Sequence, residues 1–150
     1  MLRIRQGRAE DAPLLSDIAY QAKAYWGYDT DQMEAFRPAL TYTEAHFPLY
    51  FFGVAEDPIV IGFYALDFVT NQRTELNALF VKPEYIKHGY GRALFNHAKI
   101  QAKVLGAKEL IIESDPNSEN FYRAMGAEKF GARESESIAG RFLPLLKIEL

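Results

Sequence analysis

Hydrophobic and polar positions change their period several times along this chain, and each change marks an element. Leu2 to Arg5 reads as a short strand. Glu10 or Asp11 can then accept from the free amides of a helix with Pro13 in its first turn, and Leu14, Leu15, Ile18, Ala19 and Ala22 fall on one face at helical spacing. Gly27 closes that region, and a shorter helix over 31–36 must stop before Pro38, because proline disfavours helical geometry at its predecessor. The stretch from Pro38 to Pro48 has no readable period. From Leu49 the texture is β: LYFFGVAE, a turn at Asp57-Pro58, IVIGFYALDFV, a turn over 70–73 and ELNALFV predict an antiparallel meander. Arg92 to Leu105 is helical, with a stripe of Leu94, Ala98, Ala102 and Leu105 closed by Gly106. LIIE at 110–113 is a buried strand, Asn117 or Ser118 caps a short helix, and EKFGA and RFLPLLKIEL are strands. Pro144 predicts that the last is an edge or carries a bulge. The order β-α-α-β-β-β-α-β-α-β-β implies an α/β (α+β) fold around a mixed sheet.

Composition narrows the picture. The 150 residues are 49% apolar and 25% charged, as in ordinary globular proteins, and without repeat or linker they read as one domain over 1–150. Seventeen basic residues against 20 acidic ones leave a net charge of −3, which gives nucleic acid no electrostatic footprint. Zero cysteines exclude disulfides, thiolate metal sites and a cysteine nucleophile. The charged start and the lack of a long apolar window predict neither a signal peptide nor a membrane span, so a cytoplasmic protein is the expectation.

Chemistry concentrates between Phe80 and Leu94, where a strand ends and Gly89 and Gly91 stand at the mouth of a helix. Glycines let backbone approach a ligand, and free amides at a helix start favour phosphate oxygens, to which Lys87, His88 and Arg92 would add charge-assisted contacts. A P-loop would need a Lys-Ser/Thr pair that is missing here. A dinucleotide fingerprint would need a third glycine where Leu94 stands and a tight strand-to-helix turn where seven residues separate Val81 from Gly89; Glu113, at the distance of a ribose-binding acid, keeps a dinucleotide-dependent oxidoreductase as an alternative.

The run LFVKPEYIKHGYGRALFNHA resembles the acyl-CoA-binding segment of the GNAT N-acetyltransferases, with Ile86 in place of the usual Gln or Arg. NSENFYRAMGAEKFG resembles a later segment of that family, with Phe121, Tyr122 and Gly126 matching and Ala127 where Phe is commoner. Both stand in the family's order and spacing, and with DPNSENFY and GRFLPLLKIEL, which look typical of small bacterial members, they cover about half the chain.

The resemblance implies a GNAT-like, mostly antiparallel sheet flanked by helices and an acetyl-CoA-dependent N-acetyltransferase, with acetyl-CoA as co-substrate and no metal. It implies that the backbone amides of Lys87, His88, Gly89, Tyr90, Gly91 and Arg92 hold the pyrophosphate, that the Leu79 amide faces the acetyl carbonyl, and that those of Phe80 and Val81 lie along the pantetheine arm. Asn117 joins the cofactor-binding set, and Tyr122 occupies the family's general-acid position. Glu75 stands where some members carry a catalytic glutamate, with Asn77 on the same face; the amine's proton leaves to Glu75 or a water relay. His88 and His97 are poorer bases, one turned to phosphates and the other on a helix surface. Without cysteine, direct attack in a ternary complex is the implied route. The acceptor, a small-molecule or peptide amine, is expected against the first two helices, where Tyr25, Trp26, Tyr28 and Phe36 cluster with Asp29, Asp31 and Glu34. A non-catalytic acyl-CoA sensor is the alternative on the same fold. A last strand with a free edge would allow a homodimer.

Overall fold

The computed structural model describes residues 1–70 and 72–150. Its elements follow in the predicted order: β1 (Arg3–Gln6), α1 (Ala12–Ala24), α2 (Thr30–Phe36), β2 (Tyr50–Glu56), β3 (Val60–Phe68), β4 (Arg73–Val81), α3 (Tyr90–Val104), β5 (Glu109–Glu113), α4 (Glu119–Ala124), β6 (Glu128–Glu134) and β7 (Phe142–Glu149). The unreadable stretch after α2 holds two short 3-10 turns, Arg37–Leu40 and Glu44–His46. The turn predicted over 70–73 includes Asn71, which lies outside the described residues.

Seven strands form one sheet in the order β1-β2-β3-β4-β5-β7-β6, antiparallel throughout except for the parallel pair β4–β5. The central strands are covered on both faces, which is why they read as continuous apolar runs rather than alternations. On one face α3 and α4 pack Leu94, Phe95, Ala98 and Tyr122 onto Tyr64, Leu66, Leu76 and Ile112. On the other, α1 and α2 pack Leu15, Ile18, Ala19, Met33 and Phe36 onto Phe52, Val54, Phe63 and Ala78.

The structure departs from the sequence pattern at five points. Leu14 is 38% exposed, because the α1 stripe that meets the sheet starts at Leu15, and Leu105 is 48% exposed, because it is the C-cap of α3, past the last helical residue. Asp11 makes no cap bond to α1; its carboxylate accepts the Arg8 amide and both terminal nitrogens of Arg5, tying β1 to the start of α1. His97 does not sit free on a helix surface, since its Nδ1 is 2.7 Å from the hydroxyl of the fully buried Tyr64, and burial holds its pKa below the ordinary histidine value. Finally, β7 is an interior strand between β5 and β6. Pro144 is tolerated there because its carbonyl accepts the Ser114 amide, which puts its ring nitrogen on the β5 side just where β5 has ended. Both edges of β7 are taken, so the strand pairing that motivated a homodimer is not open to a second chain.

Candidate functional site

The parallel ladder between β4 and β5 runs only from Arg73↔Glu109 to Leu76↔Ile112. Beyond it β4 continues for five residues without β5, and the cause is local. Asn77 is the extra residue of a β-bulge, inserted between the pairs Leu66↔Leu76 and Ala65↔Ala78, and a bulge bends its strand and raises its twist. The sheet therefore opens at its centre. Across β3 the Lys82 amide donates to the Ile61 carbonyl, so strand alternation turns the amides of Leu79 and Val81 the other way, into the opening. The amide of Phe80, expected along the same arm, faces β3 instead.

Beneath the opening lies the loop that starts α3. Lys87 (φ 69°) and Gly89 (φ 85°) both take left-handed backbone, the second at no steric cost because glycine lacks Cβ. The first helical backbone bond is Ala93 to Gly89, and among the described residues the amides of 87–92 make no backbone hydrogen bond. Six consecutive donors are thus free at the positive end of a 15-residue helix, an anion cradle built from main chain.

A cleft of about 530 Å³ joins this cradle to the opened sheet, lined among others by Leu79, Phe80, Val81, Lys87, Gly89, Gly91 and Arg92. Of the loop residues expected to bind, His88 and Tyr90 are not in the lining: their rings stack on each other, and the Tyr90 hydroxyl donates to Asp57 at 3.2 Å. Their amides still belong to the cradle.

Tyr122 lines the middle of the cleft. Phe95 and Phe121 hold its ring edge-on at 5.5 and 5.1 Å. Burial, with the Asp115 carboxylate nearby, pushes the phenol well above its usual value, so it stays protonated at any working pH.

At the far end the cleft meets a charged network. The Asp115 carboxylate accepts from Lys23 Nζ (2.6 Å) and Tyr28 Oη (2.8 Å) on one oxygen, and from the backbone and side-chain nitrogens of Asn117 (2.8 and 2.9 Å) on the other. Arg141 donates to the Tyr28 hydroxyl at 2.8 Å. Burial raises the Asp115 pKa, but Lys23 and the surrounding donors outweigh it and hold the carboxyl below its ordinary value. Burial lowers the pKa of Lys23, and Asp115 offsets only part of that. Asn117, expected beside the cofactor, lines the cleft through this network.

Glu75 is not in the cleft lining. Its carboxylate meets Arg133 at 3.0 Å, and the same guanidinium holds Glu113, which does line the cleft, at 2.8 Å. The bulge breaks the alternation that would have set Asn77 beside Glu75, and Asn77 reaches the cleft alone. Of the aromatic cluster, Trp26 and Phe36 line the cleft and Tyr28 braces its wall, whereas Tyr25 is 49% exposed and turned against Trp26. Asp29 caps α2 and Glu34 pairs with Arg37, so the carboxylates that face the cleft are Glu113, Asp115 and Glu136. Nothing in the sequence marks Lys23, Asp115 and Arg141 as a group: they stand 92 and 26 positions apart and meet only in the fold.

The sequence matches the profile described as the Acetyltransferase (GNAT) family over residues 15–127, three quarters of the chain. No curated protein matches it in sequence. Among solved structures, the PaiA N-acetyltransferase from Thermoplasma acidophilum in complex with coenzyme A superposes with a TM-score of 0.78 at 19% identity, over 100% of this chain and 99% of that one. A GNAT family acetyltransferase from Elizabethkingia anophelis with acetyl-CoA bound gives 0.73 at 18% identity, over 99% and 98%. A GCN5-related N-acetyltransferase from Rhodopseudomonas palustris gives 0.82 at 20% identity, over 99% and 95%.

Proposed function

The chain belongs to the acetyltransferase (GNAT) family of acetyl-CoA-dependent N-acetyltransferases, and on that premise we propose that its cleft passes an acetyl group from acetyl-CoA directly to a primary amine. The observation that carries the proposal is the continuity of one cleft from the free amides of 87–92, through the bulge-opened edge of β4, to Tyr122 and the charged network. The cradle suits a diphosphate and the open strand edge suits an extended amide-bearing arm, so the residues present fit coenzyme A. When bound, acetyl-CoA supplies an activated thioester.

The protein's own groups do the rest. The Leu79 amide, directed into the opening, is placed to donate to the charge that grows on the acetyl oxygen. Attack forms the C–N bond and breaks the C–S bond, and the Tyr122 hydroxyl gives its proton to the departing sulfur. The raised pKa keeps the phenol protonated and so loaded for the transfer, while making it a weaker acid than a free tyrosine. The proton lost by the amine passes to the Glu75–Glu113 carboxylate pair, with Glu113 as the member that faces the cleft and Glu75 joined to it through Arg133. Holding both reactants in one cleft supplies much of the rate by fixing their approach.

The test is a titration of the protein with acetyl-CoA and with NADH, followed by thiol release in the presence of amine acceptors. Acetyl-CoA binding with acceptor-dependent thiol release is the expected result. Binding of NADH alone overturns the reading, and binding of acetyl-CoA with no transfer to any amine favours the sensor.

A further inference from the structure

The acceptor end of the cleft carries more positive charge than it can satisfy. Lys23 and Arg141 both line it with side chains 13% and 16% exposed, and the carboxylate bonded between them is that of Asp115, itself 11% exposed. That carboxylate is already filled. Its two oxygens accept Lys23, Tyr28 and the two nitrogens of Asn117, and Arg141 approaches no nearer than 3.5 Å. A carboxylate offers about four acceptor sites. Arg141 therefore spends one nitrogen on the neutral Tyr28 hydroxyl, and among the described residues its Nε and second terminal nitrogen have no acceptor. Lys23 likewise uses one of its three N–H groups.

Neither cation is free to swing away. Both rest on the same two rings, Lys23 at 4.6 Å from the Phe36 centroid and 5.4 Å from that of Tyr28, Arg141 at 4.9 and 5.4 Å. The rings are themselves packed edge to face at 5.0 Å. Two fixed, mostly buried cations sharing one saturated carboxylate cost free energy until an anion reaches them. Glu113, close enough to act on the Lys23 charge, is itself bonded to Arg133, which it shares with Glu75. The two cations and the Glu113 carboxylate open on the same space.

We propose that Lys23 and Arg141 form an anion subsite that reads a carboxylate on the acceptor, so that the substrate is a small amino acid whose amine points to Glu113 while its carboxylate docks between Lys23 and the free nitrogens of Arg141. One edge of the planar guanidinium still sets a free nitrogen beside the unused N–H of the nitrogen that serves Tyr28, a fork that matches a carboxylate better than a tetrahedral or monodentate anion. The inference rests on the acetyl-transfer reading and adds the chemical class of its acceptor.

The test compares the 20 common L-amino acids with their C-terminal amides as acceptors of acetyl-CoA, by thiol release. At least one acid is expected to exceed its own amide about tenfold or more in kcat/KM, mainly through KM. Arg141→Gln and Lys23→Met should each pull that acid-to-amide ratio toward one. Should these variants fold poorly, the unmodified protein still decides the matter: the N-acetyl amino acid product should inhibit competitively with the acceptor, and its amide should not. Equal rates on acids and amides, variants that depress both alike, or efficient transfer only to amines without a carboxylate would overturn the subsite and leave the acetyl-transfer reading standing. Absence of transfer to any amine would instead strike that reading itself.

Discussion

Tyr122 and Gly91 show how one side chain, or its absence, separates binding from turnover. The Tyr122 ring is packed by Phe95 and Phe121, so Tyr122→Phe keeps the packing and removes only the proton donor. Acetyl-CoA affinity should stay within about twofold while kcat falls by roughly 10²-fold, the usual worth of a positioned acid; an unchanged kcat would remove Tyr122 from the chemistry. A Cβ added at Gly91 would meet the Phe121 ring at 3.5 Å, an ordinary contact, so Gly91→Ala should leave stability within about 0.5 kcal/mol of the parent. It nevertheless adds a methyl to the cradle, and calorimetry should find acetyl-CoA bound about tenfold more weakly. Glu113→Gln should lower kcat more than Glu75→Gln, because only Glu113 faces the cleft; steady-state kinetics showing the reverse order would make Glu75 the proton acceptor.

Elements were legible in the sequence where periodicity alone decides them. The meander from Tyr50 to Val81 and the helix over the glycine loop follow from apolar runs, turn residues and a glycine pair, and both stand where expected. What periodicity cannot show is which strand neighbours which. Pro144 argued for an edge or a bulge; β7 is interior because the proline falls past the end of β5, and the irregularity in its pairing lies opposite, in β6 between Lys129 and Gly131. The Asn77 bulge, which opens the sheet, leaves no mark in ELNALFV, since a bulge is a mismatch between two strands rather than a property of one. The cation pair at the acceptor end is equally silent, being assembled from a helix, a strand end and a loop. Between β1 and α1, the Arg5–Asp11 pair is fixed by two bonds of 2.9 Å, with side chains 15% and 9% exposed. Asp11→Asn should cost about 1 to 3 kcal/mol in urea unfolding at pH 7, since Arg5 loses two charge-assisted bonds while keeping Glu56 on its Nε. Arg5 holds the Asp11 carboxyl below its ordinary value, so the folded state binds this proton less readily than the unfolded one. Its contribution is complete above the ordinary carboxylate range and is lost as pH falls through the lowered value. The gap between parent and Asp11→Asn should therefore close in acid, and a gap independent of pH would show that the pair does not act through charge.

For the whole molecule, a seven-stranded sheet opened at the parallel β4–β5 joint places a main-chain anion cradle, a protonated phenol and a charged acceptor end along one cleft. Acetyl-CoA at about 100 times its Kd should stabilise the fold by about 2.7 kcal/mol, a rise of roughly 5 to 10 °C in Tm for a chain of this size. Amide hydrogen exchange tests the central claim most directly. Among the described residues the amides of 87–92 make no backbone hydrogen bond, so they should exchange fast, and saturating acetyl-CoA should slow most of them together with Leu79 and Val81. Bound acetyl-CoA that leaves these amides exchanging as fast as before would contradict the account.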